Sequence, residues 1–226
     1  MNLVEIFDQL AFGELSNVYL GGGDPGESGV VGESHFNRLT FHVNLGLTAL
    51  HSRFLLKEGR LTLDLIPDQY EYQLASNDDV IKVEKVLTPD GLELPLNDAT
   101  SEYSVSTPTL TKLRIPEDIV DQSQYLPDWL SLTQLEVVYR ANHPKIIVGV
   151  DFDPSMVEVD LPETHLMALL YFIASRVNNP IGMTNEFHAG NSYAAKYEMA
   201  CKELEFAGLQ VDMGTGNTKL RDRGFA

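Results

Sequence analysis

Two short stretches and a few single side chains carry whatever chemistry this 226-residue chain could perform. The first stretch is Leu20-Gly-Gly-Gly-Asp-Pro-Gly-Glu-Ser-Gly29, rich enough in glycine to bend backbone N–H groups around a phosphate. It lacks the Gly-Lys-Ser/Thr ending of a P-loop, and no strand pattern precedes it. Its neighbouring charges, Asp24, Glu27 and Glu33, have the wrong sign for an anion. It reads as a surface loop. The second stretch is Asp151-Phe-Asp-Pro154. Carboxylates two residues apart bind Mg²⁺ or Ca²⁺ only with further oxygen ligands, and the sequence identifies none. A polar turn is the simpler reading.

Single residues add little. His35 and His42 fall on one helix face but lie seven residues apart, about 10 Å along the axis, too far to share one ion. His165 and His188 have no carboxylate or Cys at a ligand spacing, so packed or solvated imidazoles are the default. Cys201, the one cysteine, falls on a helical seam and reads as a small core residue. No nucleophile elbow, zinc-ligand spacing or dinucleotide fingerprint is present in the sequence. The expectation is a protein that is not an enzyme, with no cofactor and no metal.

The hydrophobic period shows what elements would hold these residues. Val4, Phe7, Leu10 and Val18 suggest a helix over about residues 2–19, with Asn2 at its cap. Phe36, Leu39, Val43, Leu47, Leu50 and Phe54 recur at three and four residues after Ser34, and Gly59 stands where a C′ glycine would end that helix. From Arg60 the period becomes two, and about nine short strands follow. Among them are Ile146–Val150 and Val157–Leu161, and a Pro89-Asp90-Gly91 turn feeds Leu92–Leu96 back on its predecessor. Asp160 with Pro162 and Glu163 reads as a capping box that opens a third helix, whose stripe is Leu166, Leu169, Leu170, Ile173 and Val177. Phe187, Gly190, Ala194, Tyr197, Cys201 and Leu204 make the seam of a fourth, over about Glu186–Ala207.

These periods predict an α+β fold. Its N- and C-terminal helix pairs, residues 1–59 and 161–211, would join in a four-helix bundle. Residues 60–160 would be an inserted antiparallel β barrel or sandwich, and 212–226 an extended, flexible C-terminal tail.

Charge narrows the function classes. Thirty-three acids face sixteen bases, for a net charge of -17 and a pI near 4.6. Residues 60–160 alone hold nineteen acids and seven bases. Such a surface repels phosphate backbones, which argues against general nucleic-acid binding. One cysteine rules out an intramolecular disulfide framework. No apolar run approaches the ~20 residues of a membrane span, and Met1–Leu10 lacks the pattern of an export signal. A soluble protein of a reducing compartment is expected.

The order of elements resembles the head-to-tail adaptor (head–tail connector) proteins of tailed bacteriophages. The likeness rests on His42-Val-Asn-Leu-Gly-Leu-Thr-Ala-Leu-His-Ser-Arg-Phe-Leu-Leu-Lys-Glu-Gly59 in the second helix. It rests also on Leu161-Pro-Glu and Ala168-Leu-Leu-Tyr-Phe-Ile-Ala-Ser-Arg-Val177 in the third. Asn185-Glu-Phe and Gly190-Asn-Ser-Tyr-Ala-Ala-Lys-Tyr-Glu198 carry it in the fourth. These are packing patterns and not chemical signatures.

The resemblance implies a structural virion protein of the neck, synthesised in the host cytoplasm. Its copies would form a homo-oligomeric ring, commonly twelvefold, between the portal protein and a downstream tail or nozzle protein. Double-stranded DNA would pass through the lumen without specific binding, and no membrane is involved. Within the tail, Lys219, Leu220, Arg221, Arg223 and Phe225 are the candidate portal or subunit contacts, a basic and apolar end on an acidic chain. Two other readings remain open. One is a receptor- or carbohydrate-binding tail module anchored on strand aromatics such as Tyr70, Tyr72, Tyr125 and Trp129. The other is a metal-dependent hydrolase built around Asp151 and Asp153.

Overall fold

A computed structural model describes residues 1–16, 18, 20, 31–74, 80–101, 103–120, 133–178 and 184–208. The chain divides into two compact units, one from the described residues of Met1–Leu55 and Lys145–Ala226, the other Leu56–Pro144.

In the first unit, α1 (Leu3–Phe12) buries Leu3, Ile6, Phe7 and Leu10, the i, i+3, i+4, i+7 face of an amphipathic helix. The Asn2 N–H donates to Glu5 Oε2 at 3.0 Å, which satisfies one of the free donors at its start. The N-terminus is fastened to a later segment: Leu3 N–H donates to Val157 O and Val159 N–H to Met1 O, both at 2.9 Å. α2 (Glu33–Arg53) buries Leu39, Val43, Leu47 and Leu50. α4 (Glu163–Val177) buries most of its circumference, including His165, Leu169, Leu170, Ile173 and Val177. α5 (Thr184–Phe206) follows. None of these helices is long and apolar enough to cross a membrane.

The α+β class holds, but the four-helix bundle does not. α4 is a central post with which α1, α2 and α5 all make contact. At ten residues α1 is only about 15 Å long, too short to form one side of a bundle beside the 21-residue α2 and 23-residue α5. It stops at Phe12 because the chain turns at Gly13, and the buried Leu15 is reached through that turn.

The second unit is not a barrel. Among the described residues, seven strands form two antiparallel sheets. β1 (Glu58–Asp64), β3 (Val80–Leu87), β4 (Glu93–Leu94) and β7 (Gln134–Ala141) lie in the order β1-β7-β3-β4. β2 (Glu71–Gln73), β5 (Ser106–Thr109) and β6 (Lys112–Arg114) lie in the order β2-β6-β5. Both sheets feed one core, with Leu63, Val83, Val86, Leu135 and Val137 from the first and Tyr72 and Leu113 from the second. Ile119 and Val120 of the single-turn helix α3 (Glu117–Val120) complete it. Pro89-Asp90-Gly91 does join β3 to β4. Gly91 takes φ +82°, and its N–H donates to Thr88 O at 2.9 Å.

Three local expectations fail for identifiable reasons. Gly59 does not end α2, which stops at Arg53. It lies in β1, where a Cβ would fall on the Tyr139 ring of β7. Ile146–Val150 forms no strand, because the Asn44 side chain of α2 satisfies Ile146 in place of a partner strand. The amide accepts from Ile146 N–H at 2.9 Å and donates to Ile146 O at 2.8 Å. Val157–Leu161 makes only an isolated bridge with Asn2, and the N-cap position of α4 is Pro162 rather than Asp160.

Candidate functional site

α2 and α4 run antiparallel. Phe54 meets His165 edge-on at 4.8 Å at one end, and midway Gly46 lies against Leu169 and Phe172. Gly46 is what permits this approach: a Cβ there would stand 2.5 Å from Leu169 Cδ1. One turn further on, His42 of α2 comes opposite Arg176 of α4, with Arg38 one turn beyond on α2. Burial, joined by the charges of Arg38 and Arg176, holds the His42 imidazole below the ordinary histidine value. Its Nδ1 is buried without a hydrogen-bond partner among the described residues. Arg176 lies over the Phe172 ring at 5.2 Å.

α5 closes the other side. Arg53 of α2 holds Glu205 Oε1 at 2.6 Å and Glu198 Oε2 at 2.8 Å, which keeps the Glu205 carboxyl below the usual range. A groove of about 260 Å³ opens between α4 and α5, lined by Phe172, Arg176, Asn191, Tyr197 and Glu198 among others. At its floor Tyr197 shares a hydrogen bond with Cys201, and burial pushes both groups up. The thiol is therefore protonated at neutral pH and is no nucleophile. The chemistry this junction can offer is attraction of an anionic group by Arg38 and Arg176.

Other candidates are dispersed. Asp153 accepts from Ser155 N–H at 2.9 Å and caps the one-turn helix Pro154–Met156, which holds its carboxyl low. Asp151 sits just before it in the left-handed region, at φ 61°. No group of three His, Cys, Asp or Glu is placed for a metal among the described residues. His165 is buried, its Nδ1 3.1 Å from Thr164 Oγ1, and burial lowers its pKa. Tyr72 is a core residue and Tyr70 packs against that core, so neither is a free platform for a sugar ring. A second groove, about 560 Å³ and lined by Lys82, Glu84, Leu96, Asn97, Thr107 and Leu110 among others, has no aromatic among its described lining residues.

Several singled-out positions lie outside the described residues: the glycine-rich loop 21–29, Tyr125, Trp129, and all of Lys219, Leu220, Arg221, Arg223 and Phe225. Of the fourth helix's seam, Cys201 and Leu204 are buried, Tyr197 is half-buried and Ala194 is exposed. The Arg38–His42–Arg176 grouping escaped the sequence reading. Its only signal there is the i, i+4 pair on α2 in a stretch, Ser34 to Lys57, that contains no acid.

No family model matches the chain, and no curated protein matches it in sequence.

Proposed function

We propose that this chain is a structural protein of a tailed-phage virion, a head-to-tail adaptor. Its copies ring the DNA exit channel beneath the portal and join capsid to tail. One observation carries the reading. Helices from both ends of the chain belong to a single unit built on α4, and an antiparallel β unit is inserted between them. That is the order of elements by which the chain resembles such adaptors. The charge agrees with the role: at -17 per copy, a ring would let DNA pass without the counterion release that makes basic surfaces hold it. The partners are the portal protein, a downstream tail or nozzle protein, and further copies of this chain.

In this reading the basic end of the chain, Lys219 to Phe225, docks on the portal or on a neighbouring copy. On the same reading a single tail contact is weak and a ring multiplies it. Truncation after Val211 is expected to leave melting unchanged and to reduce co-sedimentation with cognate portal rings in a salt-dependent way, most at low salt, where the tail's charges are least screened. Reversing Arg221 and Arg223 should do the same with Phe225 in place. Undiminished attachment of the truncated chain would move the docking surface off the tail. Failure of the intact chain to attach would remove the adaptor role.

A further inference from the structure

The α2 face beside the α4–α5 groove is unlike the rest of this chain. Phe41 and Leu45, one turn apart on α2, are 60% and 41% exposed, and Phe41 lies edge-on to His42 with ring centroids 5.6 Å apart. Arg38 stands beside them, and Arg176 borders the face from α4. Arg53, Arg60 and Arg140 hold carboxylates, whereas Arg38 and Arg176, like Arg114 of the β unit, hold none among the described residues. In a chain with thirty-three acids and sixteen bases, two arginines that hold no carboxylate among the described residues, beside a half-buried imidazole and exposed apolar side chains, make this face locally positive.

We infer that this face, formed by Arg38, Phe41, Leu45 and Arg176, docks a second copy of this chain, which meets it with its acidic β unit. Charge complementarity selects that occupant. The β unit, Leu56–Pro144, carries sixteen acids against seven bases, so most approaches between two copies bring like charges together, while this face attracts. Phe41 and Leu45 supply the apolar anchors that the rim charges orient. The contact joins unlike surfaces, so it leaves a free face at each end and can continue from copy to copy until it closes. The inference rests on the adaptor reading for its biological setting, and it identifies which surfaces of the ring meet.

Sedimentation velocity of the full chain at 0.15 M salt, over rising concentration, tests it. Arg38→Glu, Arg176→Glu and Phe41→Ser should each weaken self-association by about tenfold or more, with unchanged circular dichroism and melting. Lys202→Glu, an exposed position near the other end of α5 with the same change of charge, should leave it within about twofold. Face variants that associate like the parent overturn the inference, as does an equal loss in Lys202→Glu, or a parent that stays monomeric throughout. Images of the assemblies separate the two claims. Rings that persist in the face variants keep the adaptor reading and remove this face, whereas face-dependent filaments or pairs keep the face and remove the adaptor.

Discussion

Replacing Gly46 by Ala sets two effects of opposite sign against each other. In a helix interior Ala is favoured over Gly by about 1 kcal/mol. Against that, the new Cβ would stand 2.5 Å from Leu169 Cδ1 and 3.0 Å from Phe172 Cδ1. Carbon atoms in contact prefer about 3.5–4.0 Å, and Leu169 is fully buried with little room to move. Overpacking of this kind costs about 1–3 kcal/mol, so packing wins and a net loss of about 1 kcal/mol is expected. Leu169→Ala alone should cost about 2–5 kcal/mol through lost burial and a cavity. In the double variant the Cβ at position 46 enters the space that Leu169 vacates, so the combined loss should fall short of the sum by about 1 kcal/mol or more. Urea unfolding followed by circular dichroism at the helical wavelength measures all four corners of the cycle. Gly149→Ala, whose Cβ meets nothing within 4 Å, is the control and should change stability by less than about 0.5 kcal/mol. Additivity of the pair, or stabilisation by Gly46→Ala alone, would refute the close crossing of α2 on α4.

His165 is buried with its folded pKa below 6.5, so below that pH the unfolded chain binds protons that the folded chain refuses. Stability should be flat in this residue above pH 6.5 and fall as pH drops toward 5. His165→Gln should show a shallower fall in melting temperature over the same range, and an unchanged slope would acquit the imidazole. Arg53→Met should destabilise the protein at pH 7, because Glu205 then loses the partner that depresses its pKa. That contribution is present above the ordinary carboxylate pKa and is lost as pH falls through the depressed one. The gap between parent and variant should therefore narrow as pH falls below the ordinary carboxylate range. An NMR titration should show the Glu205 carboxyl moving back up in the variant, and no movement would mean that the ion pair does not form in solution.

The parts of the fold legible in the sequence were those set by local period. Leu39, Val43, Leu47 and Leu50 fall on the buried face of α2, and the stripe of α4 and the Pro-Asp-Gly turn stand where their spacing put them. What failed depended on distant partners. A glycine after an apolar helix looks the same whether it ends the helix or, as Gly59 does, makes room for Tyr139 on the next strand. Ile146–Val150 has the composition of a strand, and only Asn44 on α2 shows why its backbone needs no strand beside it. The joining of helices from both chain ends into one unit followed from their unpaired apolar faces. How they join did not, since periodicity gives the faces of α1 and α4 but not that α4 serves three partners at once. The candidate site was hidden for the same reason, its third member, Arg176, being brought to Arg38 and His42 only by the antiparallel crossing.

The central claim, that this chain rings a portal, is tested most directly by electron microscopy of the purified protein mixed with cognate portal rings. The account predicts a second ring, coaxial with the portal, that continues its channel. Undecorated portals beside free monomers, at protein concentrations well above those found in an infected cell, would contradict it.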